Sequence, residues 1–267
     1  MIGQRHLLDT IDALIANNKF PRFCILVGPK GSGKKKVCEH INEALNTFWC
    51  YEPDNKVETI RSAIVDAYKV VSPTCYVFTD VDNMSVQAKN SLLKVTEEPP
   101  NSAYFIMTIE NLSNTLETII SRATVFHMDN YTPAELLQYA QDTYQDNIEL
   151  YGHLCDTPGE VDLLYKSGTE DFYHYVEKVV NNISIAPGCN VFKITSILKL
   201  KEEGEGYDIK LFLKAFIMIC GSRMQEADKY IDGIIISSNY LSQLGITGIS
   251  KQSLLDMWIL DIRKAWM

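Results

Sequence analysis

The chain has 267 residues, of which 46% are hydrophobic and 22% are charged, and its formal net charge is −9. This length and apolar content predict two or three domains with cores of their own and exclude a disordered chain. The acidic balance excludes a surface that binds nucleic acid throughout, although a local basic patch stays open. No apolar run is long enough to span a membrane and the N-terminus has no apolar signal core, so we expect a cytoplasmic protein.

Seven cysteines occur without a single C-x-x-C pair, at positions 24, 38, 50, 75, 155, 189 and 220. This spacing argues against a zinc finger or a thioredoxin-like redox pair. Most of the cysteines lie in apolar runs, as Cys24 does after Phe23. We therefore expect them to act as small buried hydrophobes.

The N-terminal half alternates between helical and strand patterns. Apolar side chains at helical spacing predict a helix over residues 5–17. The apolar run Phe23–Val27, bounded by Pro21 and Gly28, is typical of a buried parallel strand. Further helices are predicted at about 33–45, 85–96 and 115–120, and further strands at 76–78, 104–107 and 124–126. Strands that alternate with helices predict an α/β domain with a parallel sheet.

Helical patterns dominate after residue 129. Thr132, Pro133 and Glu135 have the arrangement of a capping box with a proline in the first turn, which predicts the start of a helix. Ile185–Gly188 indicates a linker, and the glycines at 204–206 and 245–248 interrupt a second helical stretch. We predict three domains, an α/β domain over 1–128, a small helical domain over 129–185 and a second helical domain over 186–267.

The first strand leads into a motif with a chemical meaning. Gly28-Pro29-Lys30-Gly31-Ser32-Gly33-Lys34 matches the first seven positions of a phosphate-binding P-loop, G-x-x-x-x-G-K. The glycines let backbone N–H groups surround phosphates at a helix N-terminus, and Lys34 is placed to reach the β- and γ-phosphates. We therefore predict that all seven residues bind ATP or ADP. A glycine loop without function is the alternative.

The eighth motif position departs from this pattern. A working P-loop has Ser or Thr there to hold Mg²⁺, whereas this chain has Lys35. An ammonium group has no lone pair for a metal ion. Lys35 either brings positive charge near the phosphates, as one more nucleotide-binding residue, or points into solvent. In both cases a magnesium ligand is lost, so Mg²⁺ is expected only together with nucleotide.

The second predicted strand ends in an incomplete acidic box. P-loop ATPases usually place Asp-Glu here, the Asp for Mg²⁺ and the Glu to activate water. Counting back from the next helix puts Thr79 at the Asp position and Asp80 at the Glu position. A shift by one residue makes Asp80 the metal ligand and leaves Val81 at the position of the base. Either alignment leaves one role unfilled, so Asp80 is the candidate catalytic residue of a degenerate acidic box, as the group that activates water or as the metal ligand.

The segment from Gln87 to Pro100 resembles the N-A/S-L-L-K-x-x-E-E-P-P helix of bacterial clamp-loader AAA+ subunits. Other family motifs have similar counterparts in the same order, namely Ile2-Gly3-Gln4, Phe20 to Lys34, Val57 to Arg61, Thr108 to Asn111 and Ser121-Arg122-Ala123. The resemblance is close over residues 1–128 and loose over 129–185. It implies an AAA+ P-loop domain, a helical lid domain and a helical collar domain that holds subunits together.

Within this gamma/delta-prime family the chain is most similar to the delta-prime type, a stator that does not hydrolyse ATP. The resemblance implies that Arg122 acts in trans as an arginine finger at a neighbour's ATP, and an ordinary ion pair on its own surface is the alternative. It also implies that Thr108 lies at the nucleotide and that Gly159 replaces the sensor-2 arginine. We expect no intrinsic ATPase activity. The alternative is an ATP-hydrolysing gamma-like clamp-loader subunit or a related DNA-dependent AAA+ ATPase.

The resemblance implies gamma/tau-like and delta-like partner subunits within the DNA polymerase III holoenzyme and, through the assembly, the sliding clamp and primer-template DNA. Lys89 and Lys94 are candidates for DNA contact, with a solvated helix face as the alternative for Lys94. The usual four-cysteine zinc module is missing, because the interval from Thr47 to Val57 holds only Cys50. We therefore expect no zinc in a divergent family member, of bacterial or phage origin.

Overall fold

The computed structural model describes residues 2–50, 55–146, 149–183, 185, 208–244 and 250–267. The chain forms two compact units, one of residues 1–143 and 156–159 and one of residues 144–155 and 160–267. The three-domain division at 128 and 185 stays a prediction. Most of the predicted linker 185–188 and the glycine-rich breaks at 204–206 and 245–248 lie outside the described residues.

The first unit contains a parallel five-stranded sheet with the strand order β2-β3-β4-β1-β5. The sheet confirms the predicted α/β class and all four predicted strands. The sequence interpretation missed β2, which has only three residues and begins at the exposed Phe48. The strands are β1 Phe23–Val27, β2 Phe48–Cys50, β3 Thr74–Phe78, β4 Ala103–Ile109 and β5 Thr124–His127.

Six helices accompany the strands in the described part of this unit. They are α1 Arg5–Ala16, α2 Lys34–Leu45, α3 Val57–Ala67, α4 Val86–Glu97, α5 Glu117–Ile120 and α6 Pro133–Tyr144. Of these, α2 to α5 connect successive strands. The helix predicted at 115–120 is shorter, because Thr115 is extended after a 3-10 turn. The predicted capping box is confirmed, since the Thr132 amide donates to Glu135 Oε2 at 2.8 Å and the Glu135 amide donates to Thr132 Oγ1 at 3.3 Å.

The core of the first unit lies on both faces of the sheet. Alternate residues of β1 point to opposite faces, so Phe23 and Ile25 join one buried cluster while Cys24 and Leu26 join the other. This explains why the strand is apolar at every position. Five cysteines are buried and carry free thiols, as predicted, namely Cys24, Cys38, Cys75, Cys155 and Cys220. The side chains of the other two cysteines lie outside the described part.

The second unit is helical where it is described. Its helices are α7 Leu150–Leu154, α8 Pro158–Lys166, α9 Thr169–Asn182, α10 Ile209–Arg223, α11 Lys229–Gln243 and α12 Lys251–Trp266. Of these helices, α8 starts in the first unit. Asp208 caps α10 by accepting from two backbone amides. Phe212 and Phe216 pack edge-on against Trp258, with ring centroids 5.4 and 4.9 Å away. In the described ranges, no helix has the length and apolar character needed to cross a membrane.

Candidate nucleotide-binding site

The P-loop joins the carboxyl end of β1, an interior strand of the sheet, to the N-terminus of α2. Gly31 has φ +79° and Gly33 has φ +89°, backbone conformations that glycine adopts without steric cost. A Cβ on Gly28 would lie 2.5 Å from Cγ of Met128. The turn therefore requires glycine at three of its seven positions.

Lys34 lies inside the loop and is only 8% exposed. Its ammonium group donates to the carbonyl oxygen of Gly28 at 2.6 Å and to that of Pro29 at 3.0 Å. Burial lowers the pKa of Lys34, and the nearby carboxylates of Glu110 and Asp80 partly oppose this shift. The lysine is thus satisfied by carbonyl groups of its own loop.

One buried polar atom of the loop makes no hydrogen bond within the described residues. Ser32 is 1% exposed, and its Oγ has no hydrogen-bond partner among the residues that the structure describes. The Tyr131 hydroxyl instead donates to the Ser32 carbonyl at 2.8 Å. A buried hydroxyl without a partner costs free energy that a ligand oxygen would recover. The glycine turn, Lys34 and this hydroxyl fit a phosphate group.

The residues that follow the glycine turn fit magnesium less well than the turn fits phosphate. Lys35 follows in the first turn of α2 and is exposed. A lysine there supplies no metal ligand. Pro29 and Lys30 are exposed as well, so the outer part of the loop faces solvent in part.

The acidic segment after β3 is held by the neighbouring strand. Asp80 has φ 49° and ψ 43°, and its amide donates to Oγ1 of Thr108 at 3.2 Å. Thr108 is 3% exposed on β4. The structure therefore brings these two predicted site residues together, and the threonine hydroxyl supports the backbone of the exposed Asp80.

Asp82 is a site residue that the sequence interpretation did not single out. Its Oδ2 accepts the amide of Glu110 at 3.0 Å, and its Oδ1 is buried without a partner in the described part. One oxygen of this carboxylate is therefore already hydrogen-bonded within the chain. The short D-x-D spacing of Asp80 and Asp82 was the signal available in the sequence.

The prediction that Lys89 contacts DNA is wrong. Lys89 is 7% exposed, and its ammonium group donates to the carbonyl oxygens of Asp82 at 2.9 Å and Asn114 at 2.6 Å. A buried amine with these partners does not reach a phosphate backbone. Lys94 is exposed, with its Nζ 5.6 Å from the ring centroid of Tyr68.

Residues 157–159 contact the P-loop directly. The Gly159 amide donates to the Gly31 carbonyl at 3.0 Å, and the Thr157 hydroxyl donates to the Lys30 carbonyl at 3.3 Å. A Cβ on Gly159 would lie 2.6 Å from Cα of Gly31. The resemblance placed Gly159 at the position of the sensor-2 arginine, but the sequence carried no sign of this glycine–glycine contact.

The N-terminal Ile2-Gly3-Gln4 motif has a structural role in the same unit. Gln4 is 2% exposed, and its side chain donates to the Asp129 carbonyl and accepts the Asp129 amide, both at 2.7 Å. Gly3 leaves room for Tyr131, whose ring would lie 2.7 Å from a Cβ there. The motif therefore fixes the segment that brings Tyr131 to the P-loop.

Arg122 lies outside the P-loop, just after α5. Its Nη1 donates to the Thr118 carbonyl at 2.5 Å, and its Nη2 pairs with Oε1 of Glu97 at 3.0 Å. The side chain is 35% exposed. The ion pair weighed as an alternative is thus present, and the guanidinium group still reaches solvent.

Known proteins resemble the chain in sequence. A family model described as DNA polymerase III, delta subunit, matches residues 53–132. The DNA polymerase III subunit tau of Bacillus subtilis is 26% identical over 162 residues, which cover 49% of this chain and 29% of that relative. The replication factor C small subunit of Methanothermobacter thermautotrophicus is 23% identical over 172 residues, covering 59% of this chain and 53% of the relative.

A gamma subunit-related protein of DNA polymerase III from Thermotoga maritima is similar in structure, with a TM-score of 0.54, 16% identity and coverage of 97% of this chain and 99% of that one. By sequence the chain is thus similar to subunits of DNA polymerase III, and by structure it shares the fold of a gamma subunit-related protein. The fold is also similar to that of RuvB of Thermotoga maritima, at TM-score 0.54 and 15% identity over 96% of this chain and 89% of that one. The chain's aligned segments span only 29% and 53% of the tau and replication factor C relatives.

Proposed function

We propose that the chain is a clamp-loader subunit of the DNA replication machinery that acts as a delta-prime-like stator. In this role it completes the ATPase site of a neighbouring subunit and hydrolyses little or no ATP itself. The observation that carries the proposal is the P-loop, which keeps its glycine turn and Lys34 while Lys35 stands at the position of the magnesium ligand.

Three further features support a degenerate ATP site. Thr79 offers no carboxylate at the end of β3, and Asp82 uses one carboxylate oxygen to accept the Glu110 amide. Gly159 has no side chain to reach a phosphate. Each electrostatic part of such a site is commonly worth ~10² in rate, although the losses do not simply add.

Nucleotide binding is compatible with the proposal. Residues Gly28–Lys34 would hold the phosphates of ATP or ADP, and Lys34 would exchange its carbonyl partners for phosphate oxygens. A bound nucleotide would place its negatively charged phosphates at the P-loop. Mg²⁺ would bind there only together with the nucleotide. We propose binding that is weak and is followed by very slow turnover.

Arg122 is the residue through which the chain would act on its neighbour. Its guanidinium group is held from one side by Glu97 and Thr118 and stays partly exposed. An arginine finger contributes roughly 10³ to 10⁵ in rate in related NTPases. The neighbour would be a gamma/tau-like subunit in the cytoplasm, in a hetero-oligomer that also contains a delta-like subunit and serves the sliding clamp and primer-template DNA.

The alternative function is an ATP-hydrolysing gamma-like subunit. The match to a tau subunit and the intact glycine turn favour it. Under this alternative Asp80 would activate the attacking water or hold Mg²⁺, despite the incomplete box.

Turnover of ATP by the purified chain, with and without Mg²⁺, separates the two functions. We expect no magnesium-dependent hydrolysis, and a rate of ~1 s⁻¹ or more, typical of a slow enzyme, would overturn the stator. Arg122→Ala is then assayed in the assembly with the gamma/tau-like ATPase, with Arg61→Ala as the control at an exposed arginine of α3. We expect only Arg122→Ala to lower the neighbour's kcat, by ~10³-fold or more.

A further inference from the structure

Several carbonyl groups of the P-loop accept hydrogen bonds from the chain itself. Lys34 donates to the carbonyl oxygens of Gly28 and Pro29. The next two carbonyls, those of Lys30 and Gly31, accept from Thr157 and Gly159. Four consecutive loop carbonyls therefore have donors without any ligand. Thr157 is 1% exposed, so its hydroxyl is built into this contact rather than left at the surface.

The contact between Gly31 and Gly159 explains why residue 159 has no side chain. Gly159 lies outside the left-handed region of φ, so its backbone conformation is open to any residue. A Cβ there would nevertheless lie 2.6 Å from Cα of Gly31, and one on Gly31 would lie 2.9 Å from Cα of Gly159. Both obstructing atoms belong to the backbone and cannot rotate away. Space against the P-loop is what requires glycine at 159.

We infer that Thr157 and Gly159 are positioning residues that hold the P-loop in its phosphate-binding turn without nucleotide. The inference rests on the proposed function, in which residues 28–34 form the nucleotide site. The contacts of Thr157 and Gly159 therefore set the shape of the loop. A stator benefits from this arrangement, since the geometry that it presents does not change with its own nucleotide.

Hydrogen exchange of the loop amides in the full chain tests this role. Gly159→Ala is compared with the wild type and with Gly221→Ala, a matched control because a Cβ on Gly221 has nothing within 4 Å. Alanine favours a helix over glycine by about 1 kcal/mol, so the substitution does not weaken α8 through helix propensity. We expect exchange at residues 28–34 to become about tenfold faster in Gly159→Ala, the loss of about one hydrogen bond, and to be unchanged in Gly221→Ala.

Thr157→Val gives a second test that introduces no steric clash. It keeps the shape of the side chain and removes the hydroxyl that donates to the Lys30 carbonyl, so we expect a smaller acceleration, of roughly threefold, in the same amides. Exchange at the wild-type rate in both variants would overturn the inference.

The outcome is independent of the stator assay. Fast ATP turnover together with a loosened loop in Gly159→Ala would defeat the proposed function and leave the positioning role intact. The absence of ATP turnover together with unchanged exchange in both variants would support the proposed function and overturn the positioning role. If Gly159→Ala fails to fold, the result for Thr157→Val decides.

Discussion

Nη2 of Arg122 and Oε1 of Glu97 lie 3.0 Å apart and join the end of α5 to the last residue of α4. The arginine also donates to the Thr118 carbonyl one turn earlier. Both charged side chains are partly exposed, at 35% and 55%. The pair therefore orients the guanidinium group while water screens much of its attraction.

Breaking this pair should cost little stability. We expect Glu97→Ala to change the free energy of unfolding by less than about 1 kcal/mol, because exposed ion pairs rarely contribute more. Urea denaturation measures the change, and Glu98→Ala serves as the control for removing one negative charge from the same exposed helix end. A loss well above that of the control would mean that the pair is part of the fold. A small loss means that Arg122 variants can be studied in an assembly without unfolding.

Restoring the missing hydroxyl should not restore catalysis. We expect Lys35→Thr to hydrolyse ATP below ~1 s⁻¹, since Thr79 still offers no carboxylate and Asp82 remains bonded to the Glu110 amide. Phosphate release in the presence of Mg²⁺ measures the rate. Lys36→Thr, at the next exposed lysine of α2, controls for the lost charge. Brisk turnover in Lys35→Thr alone would show that the rest of the site is competent.

Lys89 should contribute to the stability of the fold rather than to DNA binding. Lys89→Met leaves the carbonyl groups of Asp82 and Asn114 without their charged donor, and we expect a loss of about 2 to 4 kcal/mol in the free energy of unfolding. Lys94→Met, at an exposed position of the same helix, should cost less than about 0.5 kcal/mol. Chemical denaturation of both variants measures the difference. Equal stability would contradict the role of Lys89 as a buried donor.

The second unit should lose stability at high pH through Tyr240. Burial, together with its hydrogen bond to Asp261, raises the pKa of Tyr240 to about 12. The folded chain thus keeps this proton to higher pH than the unfolded chain, whose tyrosines titrate near pH ~10. The contribution to stability is complete below pH ~10 and is lost as the pH rises towards ~12.

Tyr240→Phe removes this titration. We expect the variant to lose about 1 kcal/mol at pH 8, because the bond to Asp261 is gone, and to show a shallower decline of stability above pH ~10. Urea midpoints measured for both proteins over this range test the expectation. Parallel curves would contradict it.

The sequence by itself determined the α/β class, four of the five strands and the P-loop. Continuous apolar runs such as Phe23–Val27 have one explanation, burial on both faces of a parallel sheet, and a glycine motif that follows such a run fixes where a phosphate site lies. The capping box at Thr132 could be predicted as well, because it joins residues that are only three positions apart. The three-residue strand β2 was missed, because a short edge strand has too few buried positions to make a pattern.

Only the tertiary structure decided how the site residues are used. Lys89 has the sequence context of a surface lysine, yet it is buried and donates to the carbonyl groups of Asp82 and Asn114, 7 and 25 positions away. The partnership of Arg122 with Glu97, and that of Gly31 with Gly159, join residues separated by 25 and by more than 100 positions. Hydrophobic periodicity and local motifs depend on neighbours in sequence, whereas hydrogen bonds and steric fit depend on neighbours in space. The sequence therefore located the P-loop, and the fold alone determined what holds it in place.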